Sequence, residues 1–181
     1  MHAINQKRIR DMAVFAMLGA IMLVSKKLME WLPNIHLLSM FIVTFTVVYR
    51  KRALIPIYIY IFLEGIMAGF ATWWIPYLYV WTVLWGMTML LPKNISKKVA
   101  VPLYMVICAL HGFLFGILYA PSQALFFGLT FQGMLAWIAA GFPFDIAHGI
   151  SNFVVGALVM PLVAILKPFD DPNNFKNQKG S

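Results

Sequence analysis

The chain alternates between long apolar segments and short polar breaks. The apolar segments fall at about residues 11–32, 35–49, 53–70, 73–91, 99–119 and 143–166. A helix needs about 20 mostly apolar residues to cross the roughly 30 Å hydrocarbon core of a bilayer. The pattern therefore predicts an all-α integral membrane protein, a single membrane domain of six transmembrane helices. The second segment is short, and we expect it to be tilted or shielded by other parts of the protein.

The basic residues indicate the topology of these segments. They cluster before the first segment, at 50–52, at 92–98 and after the last segment, so that pairs of segments separate the clusters. By the positive-inside rule, both termini and both basic loops lie in the cytoplasm. A composition of 62% hydrophobic and 11% charged residues excludes an ordinary soluble domain, so the net charge of +8 reflects topology and does not indicate nucleic-acid binding.

Residues 121–140 are also apolar, but a seventh crossing would place Lys167 outside and break the charge pattern. We therefore expect an outer loop that contains a helical or re-entrant piece and acts as a lid. Pro143 is predicted to open the last helix, because proline is tolerated in a first helical turn. A turn at Pro33 and Asn34 is expected outside, and a polar, frayed tail at 170–181.

A polar face is predicted on the last helix. Asp145, His148, Asn152 and Gly156 are spaced i, i+3, i+7 and i+11, which places them on one side. Polar groups that face hydrocarbon are costly, so this side should point into the protein. Two interpretations stay open: hydrogen bonds to neighbouring helices, or the wall of a ligand pocket.

Two ionisable residues lie deep in other segments. Glu64 is twelve residues beyond Arg52, about 18 Å into the membrane, and His111 is thirteen residues beyond Lys98, about 20 Å. Both depths fall in the outer half, where a buried carboxylate indicates a functional site. Asp145 and His148 could in principle act as an acid–base pair.

Aromatic residues form a stripe on the fourth segment: Trp74, Tyr77, Trp81 and Trp85. Trp81 and Trp85 are too deep for the interfacial belt, so they either pack between helices or form the wall of a pocket for a flat ligand. The candidate substrate-binding residues are Tyr77, Trp81, Glu64, His111, His148, Asn152 and Asp145. The charges of Lys26, Lys27 and Glu30 are expected to reach the headgroup region.

Small residues indicate where helices can pack closely, and missing motifs limit the enzyme classes to which the chain could belong. Ala16 and Ala20 form a small-xxx-small strip in the first segment, and Gly112 and Gly116 form another in the fifth, where helices can approach closely. The single cysteine, Cys108, gives no disulfide framework. The sequence has no phosphate-binding loop, no HExxH, no GxSxG and no CxxC. We therefore expect neither an enzyme nor a bound cofactor or metal.

Together these features resemble the substrate-binding S components of energy-coupling factor (ECF) transporters, which import vitamins and related micronutrients in prokaryotes. The resemblance covers residues 8–168. It depends on chain length, six spans with internal termini, a short second span, the Gly141–Asp145 opening of the last helix, and Ala16 and Ala20, which match the family's AxxxA docking motif. It implies a multi-pass protein of the plasma membrane that captures substrate in its outer half. A separate transmembrane coupling subunit and two cytoplasmic ATPases would drive release as the S component topples.

The substrate within that family stays open among a pyrimidine, a pyridoxine-like compound, a deazapurine and a cobalamin-type ligand. It also stays open whether the ECF module is shared or dedicated. The alternative function is a stand-alone proton-coupled secondary transporter of a small polar aromatic solute, with Glu64, His111 and His148 as the relay, although no inverted repeat is evident. A small intramembrane enzyme and a structural subunit are further alternatives.

Overall fold

The computed structural model describes residues 2–32 and 34–170, with side chains from residue 7 onward. The predicted polar tail beyond residue 170 and Pro33 of the predicted outer turn lie outside this range. The described part is helical and contains no strand. The helices are α1 (His2–Leu28), α2 (Leu38–Tyr49), α3 (Leu54–Ala68), α4 (Tyr77–Met89), α5 (Lys97–Phe113), α6 (Phe115–Phe127), α7 (Phe131–Gly156) and α8 (Val159–Asp170).

Two long helical segments in this range could cross a membrane, Lys97–Phe127 with 31 residues and Phe131–Gly156 with 26. Large apolar side chains are exposed on α1, α3, α5, α6 and α7. Both features support association with a membrane. The other predicted spans coincide with α1, whose last turn carries Lys26 and Lys27, and with helices of 12–15 residues, so the six crossings stay a prediction.

α2 lies at the centre of the bundle. Nine of its twelve residues are buried, and it packs against α4 on one side and α8 on another. This explains how a helix of only about 18 Å can sit in an apolar region: protein surrounds it. A 3-10 turn, Arg50–Ala53, leads directly from α2 into α3.

Glycines permit two close helix pairs. On α1, a Cβ added at Gly19 would lie 2.5 Å from Ile59 Cγ2 on α3. Between α5 and α7, a Cβ at Gly112 would lie 2.7 Å from Gly149 Cα, and one at Gly156 would lie 2.7 Å from Met105 Cα. The α5–α7 contact is therefore between backbones, in accord with the predicted strip at Gly112 and Gly116.

The prediction for residues 121–140 needs correction. They are helical except for the turn at 128–130, because α6 continues to Phe127 and α7 begins at Phe131. Gly128 adopts a left-handed conformation (φ 64°) as the C-terminal cap of α6, and the Thr130 hydroxyl accepts a hydrogen bond from the Gly133 N–H at 3.1 Å to cap α7. The fifth and last spans are thus extended into a helical hairpin.

The prediction that Pro143 opens the last helix is wrong. Pro143 lies inside α7, and the helix that follows it ends at Gly156, with α8 starting at Val159. An interior proline removes one backbone hydrogen bond but does not necessarily end a helix in an apolar setting, where neighbouring helices hold it in place.

Candidate functional site

Six aromatic and imidazole rings meet between the helices, and we call them the ring cluster: His36, Tyr77, Trp81, His111, Phe115 and His148. His36 comes from the linker between α1 and α2, Tyr77 and Trp81 from α4, His111 from α5, Phe115 from α6 and His148 from α7. The Trp81 ring centroid lies 5.5 Å from that of His111, 5.6 Å from Phe115 and 5.9 Å from His36. Trp81, His111 and His148 are buried.

The cluster joins elements that are distant along the chain. His148 lies 4.6 Å from His36 and 4.9 Å from Phe115, measured between ring centroids. The Ser151 hydroxyl, one turn further along α7, donates to the Asn34 carbonyl at 3.2 Å and so holds the linker beside α7. The residues of the predicted aromatic stripe have two different roles. Tyr77 and Trp81 belong to the ring cluster, whereas the indoles of Trp74, just before α4, and Trp85 donate to the carbonyls of Ile61 and Arg50.

Glu64 extends the site towards α1. Its Oε1 forms an ion pair with Lys26 and lies 3.6 Å from the Lys27 ammonium. Lys26 Nζ is 5.5 Å from the centroid of the Tyr77 ring, which links this ion pair to the ring cluster. The expectation that Lys26 and Lys27 reach the headgroups is therefore wrong in part, because both charges point at Glu64. Only Glu30 is exposed, and it pairs with Lys27 at 3.2 Å.

The hydrogen bond of His111 defines its tautomer. Nε2 lies 3.0 Å from the Val80 carbonyl, and a carbonyl can only accept, so Nε2 carries the proton. A second proton on this fully buried ring would leave a positive charge without a counter-ion. Nδ1 is therefore an acceptor, and it has no partner in the structure.

Several other buried polar atoms around the cluster also lack a hydrogen-bond partner. They are His36 Nδ1, Tyr60 Oη, Glu64 Oε2, Trp81 Nε1, His148 Nε2, and both Oδ1 and Nδ2 of Asn152. Native proteins pair more than nine-tenths of their buried polar groups, so a concentration of unpaired ones needs a reason. Four of these side chains, Glu64, Trp81, His148 and Asn152, are among the predicted site residues.

Asp145 lies apart from the unpaired atoms. Its two carboxylate oxygens accept from the Gly116 N–H at 3.1 and 3.2 Å. Gly116 is in the first turn of α6, whose free N–H groups and helix dipole favour an anion. Asp145 therefore caps α6 from α7 and holds the break between α5 and α6 at Leu114.

Sequence reasoning missed His36 and Phe115. His36 lies in a linker, where no helical periodicity points to a face, and its one signal was a polar ring shortly before a helix without charged residues. Phe115 was one of many phenylalanines. It also stacks on Tyr119 at 5.9 Å, and Tyr119 stacks on Trp137 at 6.1 Å, so a ring chain connects the cluster to the start of α7.

Two cavities lie beside α1, and the first of them adjoins the ring cluster. One, of about 140 Å³, separates the end of α1 from the linker and reaches His36, with Lys26, Met29, Glu30, Leu32, Asn34 and Ile35 as its other walls. The other is a groove of about 630 Å³ between α1 and α3, lined by Ala16, Phe15, Ile55, Ile59 and a charged end of Arg8, Asp11 and Arg52. Ala16 is exposed in this groove and Ala20 is half-buried.

Among the described residues, no three His, Cys, Asp or Glu side chains are grouped so that they could hold a metal ion. No protein-family model, no curated protein and no solved structure matches this chain.

Proposed function

We propose that this chain is the substrate-binding S component of an ECF-type importer for a vitamin or related micronutrient. It would cross the prokaryotic plasma membrane six times with both termini in the cytoplasm. It would capture substrate at the ring cluster and deliver it to a transmembrane coupling subunit and two cytoplasmic ATPases. The observation that carries this proposal is the concentration of unpaired, buried polar atoms among the rings.

Unpaired atoms of this kind favour a ligand site over a packed core. A buried donor or acceptor without a partner costs about 1–3 kcal/mol, and eight such atoms lie around this cluster. A polar aromatic ligand would supply the partners and offset that cost. Binding pockets in helical bundles usually combine apolar walls with a few convergent polar groups, which is the composition found here.

The second polar region fits the proposed topology. Arg52 pairs with Asp170 and, at 3.0 Å, with Asp11, which joins α1, the 3-10 turn and α8. Glu64 is twelve residues along α3 from Arg52, about 18 Å, so the two polar regions lie at different levels. The paired charges of Arg52, Asp11 and Asp170 would lie among the headgroups on the cytoplasmic side of the membrane. The ring cluster would then lie in the outer half of the membrane.

The groove beside Ala16 is the proposed docking face for the coupling subunit. Gly19 forms the internal contact of α1 with α3, whereas Ala16 faces outward. A flat strip of small residues lets a partner helix approach closely. One side of α1 therefore packs against α3, and the side that carries Ala16 would contact the coupling subunit.

The proposal is tested by co-expressing the chain with an ECF module and measuring assembly and uptake. We expect Ala16→Trp to abolish co-purification of the coupling subunit and to leave ligand affinity unchanged. The matched control is Ala164→Trp on α8, also an exposed alanine, which should assemble normally.

Uptake should stop when ATP is depleted and persist when the proton gradient is collapsed. The opposite pattern, together with normal assembly of Ala16→Trp, would overturn the proposal and favour the proton-coupled secondary transporter.

A further inference from the structure

We infer that the ring cluster takes a small, planar, uncharged nitrogen heterocycle that carries an N–H donor next to a hydrogen-bond acceptor. This inference rests on one part of the proposed function, that the ring cluster is a binding site, and it narrows the class of ligand. Three properties of the cluster carry it: the spacing of the rings, the balance of charges and the direction of the unpaired hydrogen bonds.

The spacing of the rings limits ligand size and shape. Neighbouring centroids in the cluster are 4.6–6.1 Å apart, so the rings touch one another in edge or tilted contacts. The cavity of about 140 Å³ that reaches His36 is the space beside these rings, and its volume suits a single planar ring. A ligand of cobalamin size would instead have to separate α4 from α5, whose contact includes the His111 bond to Val80.

The charges at the α1 side of the cluster cancel, and the remaining charge, on Asp145, is held at the N-terminal turn of α6. Lys26 and Lys27 carry two positive charges, and Glu64 and Glu30 carry two negative charges in contact with them. Asp145 is satisfied at the N-terminal turn of α6. A charged ligand would therefore enter a buried site without a free counter-ion, which is costly, whereas a neutral ligand avoids that cost.

Some of the unpaired atoms can only accept a hydrogen bond, and one can only donate. Glu64 Oε2 and His111 Nδ1 can only accept, and Trp81 Nε1 can only donate. Asn152 offers one of each on a single amide. A ligand that satisfies this set must present N–H groups to the first two atoms and an acceptor to the indole. Amino-substituted or lactam-type heterocycles have this edge, and a hydrocarbon ring or a fully N-methylated ring does not.

The experiment titrates the purified full-length protein with four probes and follows heat of binding and melting temperature. Cytosine and hypoxanthine are neutral rings with adjacent donors and acceptors, 1,3-dimethyluracil lacks the N–H, and orotate carries a carboxylate. We expect at least one of the first two to bind and raise the melting temperature, and the other two to have no effect. Binding of orotate alone, or of 1,3-dimethyluracil as tightly as the N–H probes, would overturn the inference, as would failure of both cytosine and hypoxanthine to bind.

A matched pair of variants on α4 tests the direction of one bond. Trp81→Phe keeps a ring and removes the donor, so we expect affinity for the bound probe to fall about 5- to 150-fold. Trp85→Phe makes the same change one turn away, where the indole donates to Arg50, and should leave affinity unchanged. If Trp81→Phe and the unaltered protein bind the probe with equal affinity, the indole N–H does not donate a hydrogen bond to the ligand. Assembly with the ECF module needs no probe, so failure of that assembly would refute the transporter proposal and leave this inference standing.

Discussion

The first half of α7, residues 131–144, is more apolar than the second half, residues 145–156, yet only the second half contains buried residues. None of the residues from Phe131 to Phe144 is buried, whereas Asp145, His148, Gly149, Asn152 and Gly156 are all buried in the second half. The first half belongs to the α6–α7 hairpin. The second half lies against α5 with glycine backbones in contact, and it carries the polar side chains of the site.

This difference shows how one helix can combine a fixed site with an adjustable cover. Residues held by backbone-to-backbone packing cannot shift without a clash, so His148 and Asn152 are held in position. The exposed half is connected to the site mainly through the stack of Phe115, Tyr119 and Trp137. We expect movement there to open or close the site while the second half stays in place.

The largest effect is expected from a pair of glycine substitutions in the two halves. Gly156→Ala would place a Cβ 2.7 Å from Met105 Cα, a backbone atom, and should lower the free energy of unfolding by about 1–3 kcal/mol. At Gly141 an added Cβ meets nothing within 4 Å, so Gly141→Ala should raise it by about 0.5–1 kcal/mol through the better helix propensity of alanine. Reversible unfolding in detergent measures both. A similar loss in the two variants would mean that the halves are equally packed.

The next effect concerns ligand affinity. His148→Ala removes a ring that contacts both His36 and Phe115, and we expect affinity for whichever of cytosine and hypoxanthine binds to fall by about 1–3 kcal/mol, roughly 5- to 150-fold. Asn152→Ala and Glu64→Gln should also weaken binding. Gln132→Ala, an exposed polar residue in the first half, is the control and should bind normally. Variants that melt lower but bind with unchanged affinity would identify these residues as structural.

The smallest expected effect is a difference in amide hydrogen-exchange rate between the two halves of α7. Without ligand, amides at 131–144 should exchange faster than those at 145–156, because the first half has few buried contacts. Ligand should slow exchange in the first half severalfold and leave the second half unchanged. Equal exchange with and without ligand at 131–144 would make the hairpin a fixed packing element and refute its role as a lid.

The polar face of α7 was predictable because helical periodicity alone brings its residues together. Asp145, His148, Asn152 and Gly156 are buried on one side, as their spacing predicted. Glu64 and His111 are both buried, and their depths in a membrane, counted along the helices, stay a prediction. Which of these polar groups would find partners did not follow, since Asp145 is capped by a backbone N–H from another helix.

The extent of the helical hairpin was not predicted, because charge patterns count crossings and say nothing of helix length. Gly128 and Thr130 carried the local signal, a left-handed C-cap followed by an N-cap, but it lay within an apolar run. The place of His36 depends on how the linker folds over α4 and α7, which involves contacts distant in sequence. Periodicity cannot supply such contacts.

The reactivity of the Cys108 thiol can report how often the helix packing around it opens. The thiol is fully buried on α5, one turn before the Gly112 contact with α7, and Cys108 is the chain's single cysteine. A thiol reagent can reach it only when the helices packed around α5 part, so the rate of alkylation of the unmodified chain reports how often that packing opens. Measured against reagent concentration, the rate becomes independent of reagent once opening is limiting, and it then gives the opening rate constant directly. No label or substitution is needed.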